Sequence, residues 1–419
     1  MILIFSILTI LLAITIMLKR FKSAETMLLI PFWAGAALLP ALSDLPYFHI
    51  DEGHYILCAF LSFEWFVLTF LDLIFPRVYQ NEHRNSSARL DEDITYHWVI
   101  GILVGLFVIY IASIAGKLIS APSISDYFLE QRLLAHEGEG VDASNPLIYR
   151  AINISMGLVV VFFWFIKFHG EKISKRNNKI LWTLFIFSGL ASLLEGNRST
   201  LIVTVVALVS SAYYYNFINT KTLLRIAVIF VLLFVLSMQM LRLDGDFSLE
   251  GIKVALSWFF IYAFGSVYSF SFFIAQKIST YWYAFDIAAS KFGADFSRMV
   301  GAKDFFIIDY TDIGSLSTNV YSGYAVLYDY LGWWGLAFIL IKALIFYTLR
   351  LMSGRSYYWR AAFSVVLASY PLTIYHEFFL TAIYYCLNII YLYILFQLAR
   401  FLLNIYEKMT LKNQKIWKE

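Results

Sequence analysis

The chain has 419 residues, 60% of them apolar and only 15% charged, with a formal net charge of +3 and a mean hydropathy of +0.70. Soluble globular domains run to about 45–50% apolar and about 25% charged residues, so this composition excludes them and places most of the chain in lipid. A net charge of +3 says little about partners, and no nucleic-acid partner is expected of a chain whose basic residues are explained by topology. The two cysteines, Cys58 and Cys386, both fall in apolar runs, which indicates neither a disulfide framework nor a thiolate metal site.

Eleven apolar spans follow in order, near residues 2–18, 26–42, 54–75, 97–116, 147–166, 180–195, 200–217, 223–240, 324–348, 361–376 and 379–399. Strand-like alternation is absent, so the expected fold is an all-α polytopic membrane protein with a single membrane domain over 1–419. The first span has no basic residue before it and is followed by Lys19, Arg20 and Lys22, the pattern of a retained anchor with its N-terminus outside. The segments after spans 1, 3, 5, 7 and 9, together with the C-terminal tail, carry most of the Lys and Arg. Those segments are therefore expected on the cytoplasmic side. The stretch Val254–Ile274 is long enough for a twelfth span. Counting it would turn Arg350, Arg355, Arg360 and the basic tail outward, so 254–274 reads as an interfacial or re-entrant helix.

This topology puts two large loops, 117–146 and 241–323, on the outer face. The second interleaves Tyr281, Trp282, Tyr283, Phe292, Phe296, Phe305, Phe306 and Tyr310 with Asp286, Asp295, Asp304, Asp309 and Asp312. Aromatic faces stack on sugar C–H surfaces and carboxylates accept from hydroxyls, so the mixture suits a carbohydrate groove. It equally suits an amphipathic lid whose aromatics anchor at the bilayer surface.

The candidate chemistry lies in the polar groups that interrupt apolar sequence. In EGNRST, residues 195–200, Arg198 stands at an outward turn between two spans, and Arg242 follows span 8. A guanidinium offers two parallel donors to a phosphate. The alternative for each is a local ion pair, with Glu195 and Asp244 respectively. Tyr375-His376-Glu377 follows a short span containing Pro371, at or just below the outer surface. There His376 is either a base for a hydroxyl proton or a hydrogen-bonding cap. Glu64, at the middle of span 3, must be paired, protonated or in water, because a charge there costs roughly 2.5–3.5 kcal/mol. Lys342 and Asp72 are expected to snorkel toward the cytoplasmic ends of their spans. Asp244-Gly245-Asp246 has the spacing of a metal-binding DxD but reads as a turn. Asp44, Asp51 and Glu52 make an acidic first outer loop, a second option for a catalytic carboxylate.

With these residues in place, the chain resembles the Wzy-type polymerases of O-antigen and capsule synthesis, through GNRST at 196–200 and TNVYSGYAVLYDYLGWWG at 318–335. The resemblance implies a GT-C-like membrane glycosyltransferase of the bacterial inner membrane with its active site facing the periplasm. It would join repeat units carried on undecaprenyl pyrophosphate without a metal or other cofactor. Its expected partners are that lipid-linked oligosaccharide, the bilayer and a chain-length regulator. The order of functional groups in the related O-antigen ligases places Arg198, Arg242, His376 and Glu377 as catalytic candidates. Glu195, Asn197, Trp282, Arg298, Asn319, Tyr321 and Tyr324 are the expected substrate-binding residues. A ligase, or a flippase for lipid-linked oligosaccharide, is the competing expectation.

Overall fold

A helix is the one open-chain backbone arrangement that satisfies every N–H and C=O inside a single lipid-embedded segment, so apolar runs of this length coil. The computed structural model describes residues 2–18, 20–42, 52–75, 90–120, 146–169, 175–195, 198–242, 247–264, 311–313, 316–318, 323–374 and 379–416. In chain order the helices are α1 (Ile2–Met17), α2 (Ala24–Leu42), α3 (Glu52–Ile74), α4 (Leu90–Ser120), α5 (Pro146–His169), α6 (Lys175–Leu194), α7 (Arg198–Tyr214), α8 (Thr220–Arg242), α9 (Leu249–Phe264), α10 (Gly323–Leu331), α11 (Gly335–Met352), α12 (Tyr357–Leu372) and α13 (Phe379–Ile416). The protein is a helical membrane protein. Among the described residues four segments, Gly53–Ile74, Thr95–Lys117, Leu147–Phe168 and Gly332–Met352, are long and apolar enough by themselves to cross a membrane.

Each of the eleven expected spans coincides with helical backbone, and three details differ. The ninth span is broken: α10 ends at Leu331, a 3-10 turn covers Gly332–Trp334, and α11 restarts at Gly335. The helix expected over 254–274 begins earlier, as α9, and packs against α2 and α8. Within the loop expected over 241–323, β1 (Thr311–Ile313) pairs antiparallel with β2 (Leu316–Thr318), a hairpin that the all-α expectation omitted. Of the loop expected over 117–146, residues 117–120 continue α4 and 121–145 lie outside the described residues.

The membrane domain expected over 1–419 packs as two compact units. The first comprises Met1–Arg77, Val206–Arg350 and Ser364–Tyr384. Its core is aromatic around Phe60, whose ring lies within 6.0 Å of the Tyr324 and Tyr328 rings and 5.9 Å from Trp333. The broken span depends on two glycines there. Gly332 adopts φ +53°, which a side chain disfavours. Gly335 is pressed on Phe60, where a Cβ would meet the ring Cε1 at 2.7 Å.

The second unit comprises Val78–Val205, Leu351–Phe363 and Tyr385–Glu419. Buried Tyr96 near the start of α4 sits among Phe162 and Phe165 of α5 and Phe396 of α13. Its hydroxyl donates to Tyr357 at 3.3 Å and shares a hydrogen bond with Tyr358 at 3.0 Å. One residue on, His97 bonds Asn177 of α6 at 3.0 Å. Toward its other end α4 meets the end of α6 through Tyr110, so the two helices run parallel.

Because the Phe60 ring is enclosed on several sides, it cannot yield cheaply to a methyl group. Gly335→Ala should destabilise the detergent-purified protein by about 1–3 kcal/mol, seen as a lowered melting temperature. Adding Phe60→Leu should recover part of the loss. A melting temperature unchanged by Gly335→Ala would mean that the contact is not tight.

Candidate functional site

The first unit encloses a polar centre built on Glu64. This residue lies at the middle of α3 and is 0% exposed, where an unpaired carboxylate would be prohibitive. Its partner comes from α11, with Lys342 Nζ 2.9 Å from Glu64 Oε1. Geometrically this is a charge contact without hydrogen-bond alignment. The other carboxylate oxygen accepts the hydroxyl of Tyr324, in the first turn of α10. Lys342 also donates to Thr373 Oγ1 at 3.3 Å and stands 4.6 Å from the centre of the Tyr370 ring. Thr373 in turn accepts the Gly323 N–H through its carbonyl at 2.8 Å.

The expectation that Lys342 snorkels is therefore corrected. It lies midway along the Gly332–Met352 span and is 3% exposed, because a carboxylate at its own depth offers more than distant water. Asp72 is structural as expected, though held by partners more than by solvent. It pairs with Arg350 of α11, and Arg20 lies 3.5 Å from it and 3.2 Å from Glu25. Arg350 also donates to the carbonyl of Phe75, and the Tyr347 hydroxyl donates to that of Leu68 at 2.7 Å. Glu64 and Asp72 are eight residues apart, as are Lys342 and Arg350. Two ionic rungs about 12 Å apart thus join α3 to α11, and the two helices run parallel.

At the turn carrying EGNRST the Glu195 carboxylate accepts the Tyr110 hydroxyl. Three residues of different helices then fix the start of α7: Tyr385 donates to Thr200 Oγ1 at 2.6 Å, and Thr200 donates to Asn153 Oδ1 at 3.1 Å. Arg198 is the first residue of α7 and Arg242 the last of α8, which places both at helix ends next to connecting turns. Of the other expected residues, Tyr324 is fully buried against Glu64, inside the core of its unit. His376, Glu377, Asn197, Trp282, Arg298, Asn319 and Tyr321 lie outside the described residues, as do Asp44, Asp51 and Asp244-Gly245-Asp246. Among the described residues no three His, Cys, Asp or Glu side chains converge as a metal site.

Sequence reasoning missed the partner of Glu64 and the roles of Asn153 and Tyr385. The signal for the first was present: two mid-span charges of opposite sign in one chain. Comparison with known protein families, with characterised proteins and with solved structures finds no match.

A buried pair loses most when it loses one partner. Lys342→Met should destabilise the purified protein by roughly 3–5 kcal/mol, whereas Glu64→Gln combined with Lys342→Met should recover most of that loss in a thermal melt. Equal melting temperatures for the single and double variants would show that the charges do not compensate each other.

Proposed function

We propose that the chain is a GT-C-like, eleven-span membrane glycosyltransferase that polymerises undecaprenyl-pyrophosphate-linked oligosaccharide repeat units on the outer face of the bacterial inner membrane. The observation that carries the reading is the turn between α6 and α7. Arg198 occupies the first position of α7, where the positive end of the helix dipole adds to the guanidinium charge. Glu195, the residue expected to neutralise it, accepts a hydroxyl from Tyr110. Such a turn is built for a polyanion at the membrane surface.

In the proposed reaction an acceptor sugar hydroxyl attacks the anomeric carbon of the donor glycan. A carbon–oxygen bond forms, the bond to the diphosphate breaks, and undecaprenyl pyrophosphate departs. His376, or its neighbour Glu377, takes the hydroxyl proton. Arg198 and Arg242 stabilise the negative charge that develops on the diphosphate. The parallel run of α3 and α11 supports the topology, because an odd number of crossings must then lie between them, as the five spans of the eleven-span reading do. Reading 254–274 as an interfacial or re-entrant helix keeps that parity. A flippase is the second reading, favoured by the Glu64–Lys342 pair at mid-span, where transporters place their polar sites.

The activity test is polymer formation by the purified protein from lipid-linked repeat units already exposed to it, which a flippase cannot perform. Arg198→Lys keeps the charge but loses the planar fork, so it should cut turnover strongly at normal protein abundance. His376→Ala should lower single-turnover rates by about 10²–10⁴-fold with binding retained. Full activity of Arg198→Ala would remove that residue from the site, and an active His376→Gln would move the proton transfer to Glu377. For topology, exposed Asn178 and Leu249 are suitable labelling positions. Only Leu249→Cys should react with an impermeant maleimide in cells whose outer membrane has been permeabilised.

A further inference from the structure

Gln239 lies in the last turn of α8 and is 0% exposed, yet neither its Oε1 nor its Nε2 has a hydrogen-bond partner among the described residues. Burying an amide without partners costs about 1–3 kcal/mol, so the ligand-free protein carries a penalty that a bound group would relieve. Helical spacing sets Val231, Val235, Gln239 and Arg242 along one stripe of α8. The lower part of that stripe is packed: buried Val235 clusters with Ala255 of α9, with Val231, Leu256 and Trp258 around them. The unpaired amide begins where that apolar packing ends, and Arg242 follows one turn later, about 4.5 Å along the axis.

We infer that the Gln239 carboxamide binds a hydroxyl pair on the sugar attached directly to the diphosphate. This rests on the glycosyltransferase reading and deepens it. A carboxamide presents an N–H donor and a C=O acceptor side by side, the complement of neighbouring sugar hydroxyls, which both accept and donate. A phosphate takes donors only and would leave Oε1 unpaired. A lipid tail would leave both atoms unpaired. Arg242, whose donors suit the diphosphate, lies on the side toward the helix end. The sugar next to the diphosphate thus falls one turn deeper than the charge, over the α8–α9 packing.

The test uses the full chain, purified in detergent, with two probes: farnesyl diphosphate, and farnesyl diphosphate bearing one N-acetylglucosamine. Calorimetric binding is measured for wild type, Gln239→Met, Gln239→Glu and Arg242→Ala, together with ligand-free melting temperatures. Gln239→Met removes the unpaired amide at similar volume, so its melting temperature should rise. Its affinity for the sugar-bearing probe should fall roughly tenfold, with farnesyl diphosphate binding unchanged. Gln239→Glu lacks the donors and should lose affinity for the same probe, which keeps the test decisive if the Met variant folds poorly. Arg242→Ala should weaken both probes. Equal losses on both probes for Gln239→Met would assign the amide to the diphosphate, and no loss on either would leave it without a ligand role; each overturns the inference. If wild type binds both probes equally, only the sugar assignment falls. If wild type binds neither, the glycosyltransferase reading falls with it.

Discussion

The Glu64–Lys342 ion pair is the constraint on which the first unit depends. Each charge alone at mid-span would cost more than the surrounding contacts return, so α3 and α11 must meet at this depth and in this register. The matched spacing of Asp72 and Arg350 then repeats the constraint two turns away. Oriented this way, the pair reaches further through its other contacts. Tyr324 ties the start of α10 to Glu64, and Lys342 ties the end of α12 through Thr373, whose carbonyl in turn holds Gly323. The two chain segments that flank the expected catalytic and substrate residues, 319–321 and 376–377, are thereby anchored to one buried charge centre.

That arrangement gives physical content to the string GYAVLYDYLGWWG. Gly323 supplies an N–H to Thr373, Tyr324 a hydroxyl to Glu64, and Tyr328 and Trp333 faces to Phe60. Gly332 supplies the positive φ that breaks the span, and Gly335 the close approach that lets α11 restart against Phe60. The described positions of the string act in packing.

The helices were legible because lipid leaves an apolar run no other option, and each of the eleven apolar runs contains helix among its described residues. The turn at EGNRST was legible because polar residues in such a run need an aqueous end. What sequence reasoning missed depends on pairing across distance. Glu64 and Lys342 are 278 residues apart, and nothing local marks them as partners. Read singly, Glu64 called for a partner, a proton or water without saying which, and Lys342 for snorkelling. The break at Gly332 was hidden because Gly-Trp-Trp is apolar enough to continue a span. Gln239 was passed over because a neutral amide barely disturbs an apolar run, although its burial without partners carries a penalty of its own.

The two units handle their polar groups differently, and the difference bears on where a ligand acts. In the second unit the polar chain Tyr385, Thr200 and Asn153 is closed: each donated hydrogen finds an acceptor, and the result is a rigid start to α7. Such a network holds the backbone of the first turn of α7 in place, so that an anion bound there, as proposed, would cost less ordering entropy. In the first unit Glu64 Oε1 meets Lys342 as a charge contact only, and neither amide atom of Gln239 has a hydrogen-bond partner. Among the described residues the Tyr370 hydroxyl and Asn388 Nδ2 are likewise buried without a hydrogen bond, so the core combines closed networks with a few open polar atoms. A closed network holds shape, whereas an open buried amide stores a penalty that, on the proposed reading, a ligand releases.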